Sequence, residues 1–368
     1  MNFSFQKAFF ILASVIAFIF MLDTGKEIIV PIAFALLFSF ILYPVVKWMK
    51  SKGFNAVLAI TSSLSTVILI GIGILFLFST QIIRISQEYN DFLEKLRSVF
   101  DASIRFLNDQ VKILPDMESE SVLDRIAQFF SESGFVIVSD TINVTTTFFS
   151  YMALTIIYTF MILLYSKHLS ESMVRFAQKE NRQKFRQMLK DVQKIGMTYL
   201  TGMVTLILIL GILNSVGLLI LGLDYAFFFG FLAALLAIIP YVGTTMGGLI
   251  PTIYALVNYD HYGYALGVIL IFWFVQFLEG NFLSPKIVGG SLDVNPLFSI
   301  LSLIAGGILW GIPGMILFLP MVAIVKVIFG YFEELEPFAI LLGDSSEEGA
   351  GQVGNHNLIA RIKGFFDK

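Results

Sequence analysis

Few residues in this chain could do chemistry in an apolar setting, and most of them fall between residues 239 and 314. Glu279 ends the run Phe272–Leu278, which is apolar except for Gln276. An ionisable group in such a stretch is costly and marks an ion path or a polar gate by default. Asn281 and Ser284 follow closely, then Pro285 and Lys286. Two readings stand. Glu279 is a gate or a proton or cation ligand with Asn281 and Ser284 beside it, or it sits at the interface and pairs with Lys286. Upstream, the apolar run Ala226–Ile239 is interrupted by Pro240-Tyr241-Val242-Gly243-Thr244-Thr245 before Met246–Val257 resumes. Downstream, Pro296–Leu309 is interrupted by Trp310-Gly311-Ile312-Pro313-Gly314 before Met315–Tyr331. Fourteen residues of helix reach only about 21 Å, short of the ~30 Å of a bilayer core. Unwound backbone at membrane depth must be satisfied by protein, water or solute. Paired breaks of this kind point to a transport site. The readings are re-entrant helical hairpins or two spans kinked by proline.

Other chemistry is poorly served. There are no cysteines, which excludes thiol catalysis, disulfides and iron–sulfur clusters. The three histidines, His168, His261 and His356, lie far apart, and no metal site is expected from them. No phosphate-loop lysine motif, H-E-x-x-H or G-x-S-x-G occurs. The expectation is a non-enzyme without a cofactor. A net charge of −3 gives no general attraction to nucleic acid. Asp224 reads as the cap of the helix that follows it. Lys326 reads as a snorkelling side chain. Gly71, Gly73, Gly306 and Gly307 read as helix-packing glycines.

The elements that must position these residues are membrane helices. The chain has 368 residues, is 57% hydrophobic and 14% charged, and has a mean hydropathy of +0.83. Soluble chains are roughly 45–50% apolar and about 25% charged. The fold class expected is an all-α polytopic membrane protein with about eight membrane segments. Residues 1–80 hold three membrane helices, the first two as a hairpin about the polar turn Asp23–Glu27. Residues 81–141 form an external amphipathic helical insert. Its first stripe is Phe92, Leu93, Leu96, Phe100, Ile104 and Leu107, broken by Pro115, and its second is Val122, Ile126, Phe129 and Phe130. Residues 142–165 are the fourth helix, 166–198 a basic helical linker, and 199–342 the core with the broken helices. Residues 343–368 form a flexible tail that ends in a short amphipathic helix.

Charge orients the chain. Ser166–Thr198 carries eight Lys/Arg and three Asp/Glu, whereas Gln81–Thr141 carries six and eleven. The positive-inside rule puts the first segment, and both termini, in the cytoplasm, and the second outside.

The C-terminal motifs also carry a resemblance. Ile239-Pro240-Tyr241-Val242-Gly243, Glu279-Gly280-Asn281, Ser284-Pro285-Lys286-Ile287-Val288-Gly289, Asn295-Pro296-Leu297 and Gly306-Gly307-x-Leu309-x-Gly311-x-x-Gly314 resemble the signature run of the autoinducer-2 exporter family. The resemblance implies a multi-pass permease of the bacterial inner membrane that exports autoinducer-2 or a related small polar solute. It implies sodium/proton antiport as an alternative, and a homo-oligomer, a pentamer being one form. A non-transporting membrane scaffold would have unbroken helices instead. The partners implied are membrane lipids, a small polar solute or a cation and proton, and further copies of the chain. The candidate pathway residues are Pro240, Tyr241, Gly243, Thr244, Glu279, Asn281, Ser284, Pro285, Asn295, Gly311 and Pro313. A cation-coupled route would lean on Glu279, with Asp293 as a second candidate.

Overall fold

Where water is absent, a helix pairs every backbone N–H and C=O within one segment. The computed structural model describes residues 5–87, 95, 98, 119–239, 242–259, 261–289 and 292–343. Among them its regular elements are helices, with one isolated β-bridge between Val294 and Gly343. The helices are α1 (Phe5–Thr24), α2 (Lys26–Ser51), α3 (Ala56–Gln87), α4 (Ser119–Phe176) and α5 (Arg182–Leu221). They continue with α6 (Ala226–Leu236), α7 (Val242–Asn258), α8 (Gly263–Leu278), α9 (Pro296–Trp310), α10 (Ile312–Gly330) and α11 (Glu336–Leu342). Six helices among the described residues are long and apolar enough to cross a membrane.

The chain divides into two compact units, Met1–Leu169 with Leu200–Val288, and Ser170–Tyr199 with Gly289–Lys368. In the first, Leu42 and Val46 of α2, Ala59, Ile60 and Leu64 of α3, and Leu163 of α4 form one apolar cluster. A second cluster joins Leu218 of α5, Phe229 of α6, Tyr254 of α7 and Val268 of α8. Elsewhere the helices present apolar side chains outward: Leu69, Phe76 and Leu77 are each more than 60% exposed. Apolar surface on this scale suits lipid or another apolar surface. In the second unit, α9 packs on α10 and α10 on α11.

Several expectations change. Gly25 alone separates α1 from α2. Its N–H donates to the Met21 carbonyl at 2.9 Å, and its carbonyl accepts from Ile29 N at 2.9 Å. Helical hydrogen bonds therefore run into and out of Gly25, and only that residue stands between the two helices. The helix α4 is continuous through 141 and 142, where the insert was expected to end, and α5 runs continuously through 198 and 199. A loss of hydropathy does not end a helix; the break in the basic segment comes at the short 3₁₀ turn Lys179–Asn181. The first amphipathic stripe, Phe92–Leu107, and the tail after Gly343 lie outside the described residues. Gly71 and Gly73 face open space, with no atom within 4 Å of an added Cβ.

Candidate functional site

The first break reverses the chain. The helix α6 has eleven residues, so it is about 16 Å long. Beyond it, Ile239 N donates to Leu236 O at 2.8 Å and Gly243 N to Ile239 O at 2.9 Å. Phe229 of α6 then meets Tyr254 of α7, their ring centroids 5.0 Å apart. The two helices form a hairpin and not a kinked span. Gly243 permits it, since a Cβ there would lie 1.6 Å from Leu236 O. Its requirement is closeness to backbone, not a left-handed conformation. Pro240 and Tyr241 lie outside the described residues.

The second break also reverses the chain. Gly311 links α9 to α10 with φ 64° and ψ −141°, a region open essentially to glycine alone. A Cβ on Gly314 would lie 1.9 Å from Gly306 O, so these two glycines bring the helices together. Trp310 packs edge-on against Phe318, centroids 5.1 Å apart. Pro313 sits in the first turn of α10, where its missing N–H costs nothing.

Glu279 lies at the point where α8 widens. Glu279–Leu283 and Pro285–Gly289 are π-helical, with Ser284 between them. Pro285 has no N–H to give to the carbonyl four residues back, and this accounts for the loss of the α-helical ladder. Single π-turns inside helices recur at functional sites. Asn281 is exposed, and its Nδ2 donates to the Phe277 carbonyl at 2.9 Å, so its amide serves its own helix. Glu279 is half-buried, with the exposed Gln276 one turn before it. It makes no ion pair with Lys286, and neither residue takes part in the pairs Lys26–Asp23 and Lys326–Asp293.

A small cavity opens on Glu279. It is lined by Leu210 and Asn214 of α5, Ala233 of α6, Thr244 of α7, and Gln276 and Glu279. Its water-accessible space is about 20 Å³, room for about one water. Glu279 is its only ionisable lining group. Asn214 is the residue that sequence reasoning missed. It is 5% exposed, and its Oδ1 has no hydrogen-bond partner. The neighbouring Ser215 is fully buried and its Oγ is also unpartnered. The signal was present as a polar pair in the middle of the apolar run of α5.

The remaining candidates have structural duties. Asn295 caps α9, its Oδ1 accepting from Leu297 N at 2.9 Å, while its own N–H donates to Leu342 O at 2.8 Å. Asp293 takes a left-handed conformation, φ 47°, and its carboxylate and carbonyl both accept from Lys326 Nζ. Lys326 is 9% exposed. It is therefore a paired, buried cation and not a snorkelling one. Asp224 does not cap α6, whose first flanking residue, Tyr225, makes no side-chain cap. Its carboxylate accepts from the Tyr259 hydroxyl at 3.0 Å, and that hydroxyl accepts from Asp224 N at 2.8 Å. Burial, ahead of the Asp224 charge, raises the Tyr259 pKa above its ordinary value.

The profile of the AI-2E family transporters matches residues 9–334. The chain is 28% identical to "Putative transport protein YrrI" of Bacillus subtilis, over 83% of this chain and 87% of the relative. It is 32% identical to "AI-2 transport protein TqsA" of Escherichia coli, over 41% of this chain and 43% of the relative.

Proposed function

Because the chain belongs to the AI-2E transporter family, we propose that it is a permease for a small polar solute of the autoinducer-2 type. The name of the Escherichia coli relative supports that solute class. The observation that carries the reading is Glu279, a carboxyl group within an apolar helix, opening on a cavity beside a helical hairpin. A cavity with room for one water holds no furanone, so the arrangement is a closed gate. Opening it requires the α6–α7 hairpin to move relative to α8, and the π-helical stretch after Glu279 is the weak point of that helix. Transport is uncoupled or driven by an ion gradient, with Glu279 as the group that would carry charge. The protein acts in the bacterial inner membrane, as a homo-oligomer, with both termini in the cytoplasm.

Proteoliposomes loaded with a pH-sensitive dye and offered autoinducer-2 and other small polar metabolites test the reading. Solute uptake above that of empty liposomes is expected. Absence of uptake for the whole panel, from correctly folded protein, would sink the transport assignment.

A further inference from the structure

The Glu279 cavity has a chemical polarity that the permease reading does not use. Asn214 Oδ1 is buried and unpartnered. Asn214 lines the cavity together with Glu279. An unmet buried acceptor such as its Oδ1 is costly until a donor arrives. No cationic side chain offsets them. From Tyr199 to Gly289 the only Lys or Arg is Lys286, which is exposed and makes no ion pair with Glu279. Asp224 lies in the loop before α6, and its carboxylate is held by Tyr259. His261 lies before α8 and accepts from Gly263 N at 3.0 Å. The residues that α5, α6, α7 and α8 present to the cavity therefore bring no cationic group and at most one negative charge, that of Glu279.

We propose that this cavity selects its solute by charge. It admits neutral or cationic species and rejects anions, with the Glu279 carboxylate setting the charge and Asn214 as the buried polar neighbour beside it. The selection rests on the gate assigned above. An anion entering would meet Glu279 in a low-dielectric site, where like charges repel far more strongly than in water. A hydroxyl or ammonium group entering there would supply the donor that Asn214 Oδ1 lacks.

The chain has no cysteine, so a single one can be placed in the cavity. In the purified full-length chain, Asn214→Cys is reacted, as the gate opens and closes over hours, with the cationic 2-aminoethyl and the anionic 2-sulfonatoethyl methanethiosulfonates. Each rate is divided by that reagent's rate with free 2-mercaptoethanol. The cationic reagent should react at least about tenfold faster on this scale. Glu279→Gln in the same background should bring the ratio close to one. Thr244→Cys repeats the test from α7 and decides it alone if Asn214→Cys does not fold. Equal or faster reaction with the anion overturns the proposal, as does no reaction at either position, or a ratio that Glu279→Gln leaves unchanged. Labelling does not depend on solute flux. Selective labelling without flux would count against the permease reading alone, and flux without selective labelling against this one alone.

Discussion

Lys326 of α10 is held by Asp293, thirty-three residues earlier, through both the carboxylate and the backbone carbonyl of that residue. The two partners are unequally buried, with side chains 11% and 38% exposed. Removing Asp293 strands a buried ammonium, whereas removing Lys326 leaves a carboxylate that water can reach. Asp293→Ala should therefore cost about 2–3 kcal/mol. Lys326→Met should cost under about 1 kcal/mol, since exposure screens the remaining charge. Thermal unfolding in detergent, followed by tryptophan fluorescence, ranks the two. An equal or larger loss for Lys326→Met would show that the pair is not what holds this loop.

The two hairpins should fail for different reasons. A Cβ on Gly243 collides with the Leu236 carbonyl at 1.6 Å, and backbone cannot step aside. Gly243→Ala should leave little folded protein. Gly311 has space around it but a backbone conformation foreign to alanine, so Gly311→Ala should cost about 1–3 kcal/mol and still fold. Gly71→Ala and Gly73→Ala meet nothing and should be neutral or slightly stabilising, given alanine's helix propensity. Monodisperse yield on size exclusion orders the four. Normal yield for Gly243→Ala contradicts the hairpin geometry.

The Tyr331 hydroxyl donates to the Asp191 carboxylate. Burial, and then the hydrogen bond and charge of Asp191, raise the Tyr331 pKa above its ordinary value. An acid whose folded pKa is raised contributes its stability in full below its unfolded pKa of about 10 and loses it as pH climbs from there. Stability should thus decline above roughly pH 10. Tyr331→Phe should be about 1–2 kcal/mol less stable at pH 8 and should decline less steeply. Parallel melting curves for the two proteins between pH 8 and 11 would remove this assignment.

The orientation proposed from the charges is tested by labelling. Asp109→Cys should react with an impermeant maleimide added from outside the cell. Reaction only after the cytoplasmic face is opened inverts the topology.

How much of this was legible without the structure depends on what kind of signal each feature leaves. The apolar runs, the breaks at Pro240–Thr245 and Trp310–Gly314, and Glu279 all depart from their local composition, so they stand out in the sequence. That the breaks are reversals depends on which residues face each other across them, Phe229 and Tyr254 or Gly306 and Gly314, and local composition does not carry that information. Lys326 was misread for the same reason, its partner lying far back in the chain. The helix α4 runs on through residue 141, where hydropathy changes, because no proline or glycine pair ends the hydrogen-bond ladder there. Asn214 was passed over because one amide in a span is unremarkable until its neighbours are known.

The central claim is that Glu279 opens on the transport path, and one substitution tests it directly. Glu279→Gln keeps the size of the side chain while removing the only ionisable group that lines the cavity. Solute flux is measured in proteoliposomes between pH 5.5 and 8.5, the ordinary working range of such vesicles, beside a size-exclusion profile of each protein. The account predicts pH-dependent flux for the parent. It predicts flux for Glu279→Gln that is flat with pH, at least about tenfold lower, and unchanged assembly. Flux through Glu279→Gln that matches the parent in size and pH dependence would contradict it.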